Sequence, residues 1–172
     1  MSAATTIRAA VLTVSDRCSR GEATDASGPA LEARLAERLD AIVVARACVP
    51  DERPAIAECV ARWARGDERI DLIVTTGGTG LSPRDVTPEA VAGVLERAAP
   101  GLMELARHRT LANTPLTFLS RGVAGTIGRT LVVTLPGSPR GAIEQFDALV
   151  DVLPHAIAVL RGPSATKGDV HA

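Results

Sequence analysis

Residues 75–90 read Thr-Thr-Gly-Gly-Thr-Gly-Leu-Ser-Pro-Arg-Asp-Val-Thr-Pro-Glu-Ala, and these residue types suit the holding of phosphate. Gly77, Gly78 and Gly80 permit turns with positive φ and let a ligand approach the main chain closely. Successive N–H groups in such a turn form a concavity for anions. Thr76 and Thr79 add hydroxyls beside it. Thr87 as N-cap and Pro88 at the first helical position open a helix over 88–98, whose positive end points back at the turn. Asp85, within the stretch, has a counterpart in Asp51 of Pro50-Asp51-Glu52; each follows a strand and precedes a helix. Two carboxylates of this kind suit Mg²⁺, which takes one or two of them together with phosphate oxygens and water. Pro136-Gly137-Ser138-Pro139 offers a second anion site at another helix N-terminus. Two phosphate cradles, a carboxylate pair and no evident nucleophile point to nucleotidyl or phosphoryl transfer. In that chemistry the protein mainly positions groups and stabilises charge.

Each signal also has a plainer reading. An aspartate at a helix start serves as a cap, and Asp51-Glu52 complements a helix dipole. Ser15 and Ser27 suit ordinary loop and cap positions, and Arg84 a solvated surface charge. Glycine turns occur in many α/β connections. The functional reading gains weight only if separate loops carry these residues to one place.

The elements that would do so are strands alternating with helices. Residues 7–14, 41–49 and 70–75 are short apolar runs that read as buried strands, with Asp71 the one polar residue between Ile70 and Val74 in the third. A polar loop, 15–27, leads to a helix opened by Ser27-Gly28-Pro29 with Leu31, Leu35 and Leu39 on its core face. A second helix, 54–64, buries Ile56, Val60 and Trp63 and ends at Gly66. A third, 101–109, carries Leu102, Met103 and Leu105. Two stretches, 116–126 and 130–135, joined at Gly128-Arg129, read as an antiparallel pair. Ser138 and Pro139 start a final helix through Ile143, Phe146, Leu149 and Val150, interrupted at Pro154; residues 161–172 read as a tail. The pattern predicts βαβ units, a mostly parallel sheet covered on both faces and no division of residues 1–172 into separate domains. Ligands of such sheets bind beyond the carboxyl ends of the strands. Ser15-Asp16-Arg17, Pro50-Asp51-Glu52, the glycine stretch and Pro136-Gly137-Ser138 all leave strand ends, so all four should meet on one edge.

Composition removes several functions. The chain has 172 residues and a formal net charge of −1, so nothing in bulk attracts nucleic acid or an anionic membrane. No apolar run approaches the roughly 20 residues of a membrane span. Met1 to Thr6 carries no basic flank or signal core, which predicts a cytoplasmic protein. Lys167 is the single lysine, so a P-loop, which needs lysine within its glycine turn, is excluded. With no tyrosine, Trp63 and two phenylalanines, there is no stacking platform for single-stranded nucleic acid. Cys18, Cys48 and Cys59 form no Cys-x-x-Cys pair and read as free, mostly buried thiols. His108, His155 and His171 show no metal-ligand spacing.

The 75–90 stretch closely resembles the signature of the Mog/MoaB molybdenum-cofactor biosynthesis family, whose related domains occur in gephyrin and in the plant two-domain homologue. Leu12-Thr-Val-Ser-Asp16, Asp25-Ala-Ser-Gly-Pro29, Val49-Pro-Asp-Glu52, Pro100-Gly101, Leu119-Ser-Arg121 and Leu135-Pro-Gly-Ser-Pro139 resemble further blocks of that family, in its order, so the likeness spans about residues 7–160. It implies a three-layer α/β/α sandwich with a mixed, mainly parallel sheet and one antiparallel strand. It also implies a homotrimer, a molybdenum insertase as partner, and adenylylation of molybdopterin by ATP with Mg²⁺. Asp51 and Asp85 match the family's catalytic, metal-associated carboxylates. The Gly77–Gly80 loop with Thr79 matches its phosphate-binding turn, and Ser15, Asp16, Ser27, Thr76, Ser120, Gly137 and Ser138 fall in pocket-forming blocks. A catalytically silent molybdopterin-binding relative or a trimeric scaffold is the alternative the resemblance leaves.

Overall fold

Apolar residues alternating between two faces of each central strand require a cover on both sides, and the computed structural model, which describes residues 6–162, has that arrangement. One six-stranded sheet runs in the order β2-β1-β3-β6-β5-β4. Its strands are β1 (Arg8–Val14), β2 (Ile42–Val49), β3 (Leu72–Thr76), β4 (Arg97–Ala98), β5 (Ala124–Ile127) and β6 (Thr130–Leu135). β2, β1, β3 and β6 pair in parallel, while β5 is antiparallel to both β6 and β4. β5 is therefore the single reversed strand of the sheet.

The helices are α1 (Asp16–Ser19), α2 (Ser27–Leu39), α3 (Arg53–Arg65), α4 (Thr87–Ala92), α5 (Pro100–Thr110), α6 (Pro139–Asp147) and α7 (Leu153–Arg161). Period-two alternation sorts the core into two halves. Ala9, Val11, Leu72, Val74, Leu131 and Val133 face one cluster with Leu31, Leu35, Met103 and Phe146 of α2, α5 and α6. Ala10, Leu12, Ile73 and Val132 face the other, with Ile56 and Val60 of α3 and Val91 of α4. This is the three-layer α/β/α sandwich expected.

Several local expectations fail for physical reasons. The helix expected over 88–98 stops at Ala92. Glu96 N donates to Thr126 O and Ala99 N to Ala124 O, so the chain pairs with the exposed edge of β5 and forms β4. Thr87 is the first helical residue, after Val86, and its hydroxyl is drawn off to donate to Gly77 O at 2.9 Å. Residues 115–119 form a 3-10 turn rather than the start of a strand. The last helix is two, α6 and α7, and Pro154 lies in the first turn of α7, where its missing N–H is harmless. The 15–27 loop contains the short α1. Of the three free cysteines only Cys59 is buried; Cys18 is half-buried and Cys48 lies exposed on edge strand β2. Arg161, expected in a tail, is a buried residue of α7; residues 163–172 and 1–5 lie outside the described residues.

Candidate active site

Register decides where the site forms. Val14 pairs with Val49, Thr13 with Thr76, and Thr76 with Leu135, so four strands end at one level. The loops leaving them interlock. Ser15 N donates to Val49 O at 2.9 Å, and its hydroxyl accepts from Cys18 N at 3.3 Å to cap α1. Asp16 N donates to Asp51 Oδ2 at 2.9 Å, while Asp51 N donates to Asp16 Oδ1 at 3.0 Å. Thr76 donates its hydroxyl to Pro136 O at 2.7 Å, tying the glycine stretch to the turn after β6. Arg84 closes the ring from outside, with Nε and Nη2 on the Asp16 carboxylate at 3.0 and 2.8 Å.

The glycine turn is required by close approach. Gly77 has φ +103°, and a Cβ there would lie 2.1 Å from Val14 O. Gly78 has φ +64°, with Thr87 Oγ1 and Asp51 Oδ1 where a side chain would go. Thr87 holds the turn through its hydroxyl on Gly77 O and its N–H on Gly78 O at 3.0 Å. Thr79 receives the Ser120 hydroxyl at 3.2 Å. Ser138 caps α6 by accepting from Gly141 N at 3.1 Å, with Pro139 in the first turn, as the sequence predicts.

Two cavities flank this edge. The larger, about 700 Å³, is bounded by Thr79, Gly80, Ser120 and Ser138 and runs to Thr117 and Gln145. The smaller, about 350 Å³, is bounded by Ser15, Ser27, Asp51, Thr76 and Gly77, and by Asp25. Gly78, Asp85 and Gly137 line both. Asp16 lines neither. Its carboxylate is engaged by Arg84 and by Asp51 N, so it braces the Asp51 loop instead of facing a cavity.

Electrostatics separates the carboxylates. Burial pushes the Asp51 carboxyl above its ordinary range; the neighbouring Asp16 and Asp85 charges add to this, against the Asp16 N–H bond. The Arg84 hydrogen bonds hold Asp16 below the usual range, helped by the Asp51 N–H. Asp85 accepts from Ser82 N at 3.0 Å through Oδ2. Asp25, whose place in the sequence gives no separate signal, accepts from Thr13 Oγ1 at 2.6 Å and Gly28 N at 2.9 Å and pins α2 to β1. Gln145 and Thr117 escaped notice because Gln145 sits in an amphipathic helix whose pattern reads as core; its Nε2 donates to Thr117 Oγ1 at 3.0 Å, both buried.

The sequence and the fold both have known relatives. Cinnamon, a molybdenum cofactor synthesis protein of Drosophila melanogaster, is 39% identical over 87% of this chain, and the chain spans only 25% of that relative's length. A molybdopterin adenylyltransferase of Helicobacter pylori is 37% identical over 91% of this chain and 89% of its own. The crystal structure of the molybdopterin biosynthesis enzyme MoaB from Thermus thermophilus superposes with a TM-score of 0.86 at 49% identity, covering 92% of this chain and 98% of that one. The family described as a probable molybdopterin binding domain matches residues 10–155, which include every strand end and loop of the two cavities, and the chain belongs to that family.

Proposed function

We propose that the protein transfers an adenylyl group from ATP to molybdopterin and releases pyrophosphate. The observation that carries this reading is the wall of Gly78, Asp85 and Gly137 common to both cavities, where two ligands can meet. The Helicobacter pylori relative named for this activity supports it. In the transfer, an oxygen of the pterin's phosphate monoester forms a bond to the α-phosphorus of ATP. The bond from that phosphorus to the bridging oxygen breaks, and its electron pair leaves with pyrophosphate. A phosphate monoester is largely dianionic near neutrality, its second pKa being about 6, so the attack needs no strong base. The site has to supply alignment and charge neutralisation. In this reading the N–H groups of Gly78, Thr79 and Gly80, with the Thr79 hydroxyl, hold phosphate at the glycine turn, while Gly77 N donates to Leu135 O at 3.2 Å and ties the turn to the end of β6. Gly137 and Ser138 hold it at the start of α6. Ser15, Ser27, Thr76 and Ser120 shape the walls, and Asp16 braces Asp51.

The donors present fit Mg²⁺. Asp51 and Asp85 each give one oxygen to a backbone N–H, at 2.9 and 3.0 Å, and the other oxygen accepts from no protein group among the described residues. Two carboxylates with one open oxygen each suit a hydrated ion completing its shell from phosphate and water. Bound by Asp51 and Asp85, it would neutralise phosphate charge.

The proposal extends to a cytoplasmic homotrimer that hands its product to a molybdenum insertase. No helix among the described residues is long and apolar enough to cross a membrane. Leu111, Leu116, Phe118 and Leu119 are 47–66% exposed along the α5–β5 connection, an apolar surface suited to a neighbouring copy.

Incubation with ATP, Mg²⁺ and molybdopterin tests the reaction: adenylyl-molybdopterin and pyrophosphate should appear together. Tight molybdopterin binding with no product would sink the enzyme reading and leave a carrier.

A further inference from the structure

Arg121 lines neither cavity, yet it holds the segment that carries Asp85. Its N–H donates to Thr79 O at 2.8 Å. Its Nε donates to Gly80 O at 2.8 Å, and Nη2 to Asp85 O at 2.7 Å. Its Nη1 donates to Glu89 Oε1 on α4. One guanidinium thus closes both ends of the turn from Gly80 to Asp85, and the same residue's main chain fixes Thr79. The bonded carbonyls belong to the backbone that presents the glycine N–H groups and the Asp85 side chain. Without a donor these carbonyls would turn to water and the turn would lose its fixed width. A guanidinium offers five N–H donors in a rigid planar fork; an ammonium offers a point charge and cannot span two carbonyls in the same way. Glu89 fixes the fork. The hydrogen bond from Arg121 holds its carboxyl below the usual range. Its Oε2 is buried with no hydrogen-bond partner among the described residues, a desolvation cost offset by the adjacent positive charge.

We infer that Arg121, oriented by Glu89, is a positioning residue that sets Asp85 and the glycine turn at the wall common to both cavities. For catalysis the inference rests on the adenylyl-transfer reading, but the loop geometry it claims does not. Displacement of a reacting group by about 1 Å costs on the order of 10²-fold in rate, so the effect should fall on kcat.

Arg121→Met, Arg121→Lys and Arg121→Ala are compared with the unmutated protein. The measurements are steady-state adenylylation, calorimetric binding of molybdopterin and of ATP, thermal melting, and amide exchange of residues 77–87. In Arg121→Met and Arg121→Lys, kcat should fall by about 10²-fold with KM changed less than about threefold, and the 77–87 amides should exchange faster. Millimolar guanidinium should restore part of the turnover of Arg121→Ala, whose space is empty, and none of Arg121→Met, whose space is filled. Full kcat in Arg121→Lys, or a lowered melting temperature with kcat unchanged where both proteins are folded, overturns the inference. Should Arg121→Met not fold, Glu89→Gln carries the test, because it keeps an acceptor for Arg121 and loses only the charge. Its kcat should fall by roughly tenfold at unchanged melting temperature, and unchanged kcat overturns the role given to Glu89. If the unmutated protein makes no product, the functional reading fails, while the exchange comparison still decides whether Arg121 holds the turn.

Discussion

At the residue scale the two carboxylates and the glycine turn are separable by experiment. Asp85→Asn and Asp51→Asn should each abolish adenylyl transfer while molybdopterin binding, followed by calorimetry, largely survives; full turnover in either variant removes that residue from the proposed centre. Asp51 also carries a stability signature. Its folded pKa is raised, chiefly by burial, so the ionised form is less favourable in the folded protein than in the unfolded chain. Asp51→Asn should therefore match the unmutated protein at low pH, where Asp51 is protonated, and become the more stable of the two as pH rises through the raised pKa. Melting curves across about pH 3 to 8 test this, and a variant less stable at neutral pH contradicts the sign. Gly77 tests the backbone. Gly77→Ala combines φ +103° with a Cβ 2.1 Å from Val14 O, a main-chain atom held in the sheet. A loss of at least ~2 kcal/mol is expected in denaturant unfolding. The residue types at all of these positions are legible in the sequence. That Asp16 braces a loop and faces no cavity is not, because its partners, Asp51 and Arg84, are remote in the chain.

At the element scale, caps read well and competition for hydrogen bonds reads badly. Ser138-Pro139 is a local signal and produces a local result, so Ser138→Ala should cost about 1 kcal/mol in urea unfolding with an unchanged m-value. If α6 also holds phosphate, the same variant should raise KM for the phosphate-bearing substrates. The stretch 88–98 has helical character throughout, yet Arg97–Ala98 pairs with β5 because an unpaired strand edge offers ladder bonds that the isolated segment cannot foresee. Thr87 shows the same thing on a smaller scale. Its hydroxyl suits an N-cap, but the carbonyl of Gly77 is near and has first claim on it.

At the scale of the whole molecule, α7 is fastened to the far end of the sheet by a buried pair. Arg161 Nη2 lies 2.7 Å from Asp71 Oδ2, with side chains 9% and 3% exposed. Asp71 also accepts from Arg8 N at 2.9 Å. Burial pushes the Asp71 carboxyl upward, but the hydrogen bonds from Arg161 and the Arg8 N–H outweigh it and leave it below its ordinary value. Its contribution to stability is thus complete above the unfolded aspartate pKa of about 3.9 and is lost as pH falls through the lower folded value. Asp71→Ala, which takes the carboxylate from a buried guanidinium that also donates to Thr6 O, should cost about 3–5 kcal/mol at neutral pH, and the deficit should shrink at the acid end of a pH series. The apolar surface over Leu111 to Leu119 makes a separate prediction. Leu116→Asp combined with Phe118→Ser should turn the proposed trimer into monomers in sedimentation velocity; an unchanged sedimentation coefficient removes this surface from the proposal.

The sequence by itself determined the layered α/β fold, the four loops that meet at one edge and the residue types, Asp51, Asp85 and the glycines, that those loops bring there. Strand periodicity, turn residues and caps are local properties, and the direction of parallel strands fixes which loops converge. Only the tertiary structure decided how those loops are held. The reciprocal bonds of Asp16 and Asp51, the grip of Arg121 on Gly80 and Asp85, and the wall common to two cavities each join residues far apart in the chain. Such contacts depend on the relative height at which neighbouring strands end, which register sets and which no single segment encodes.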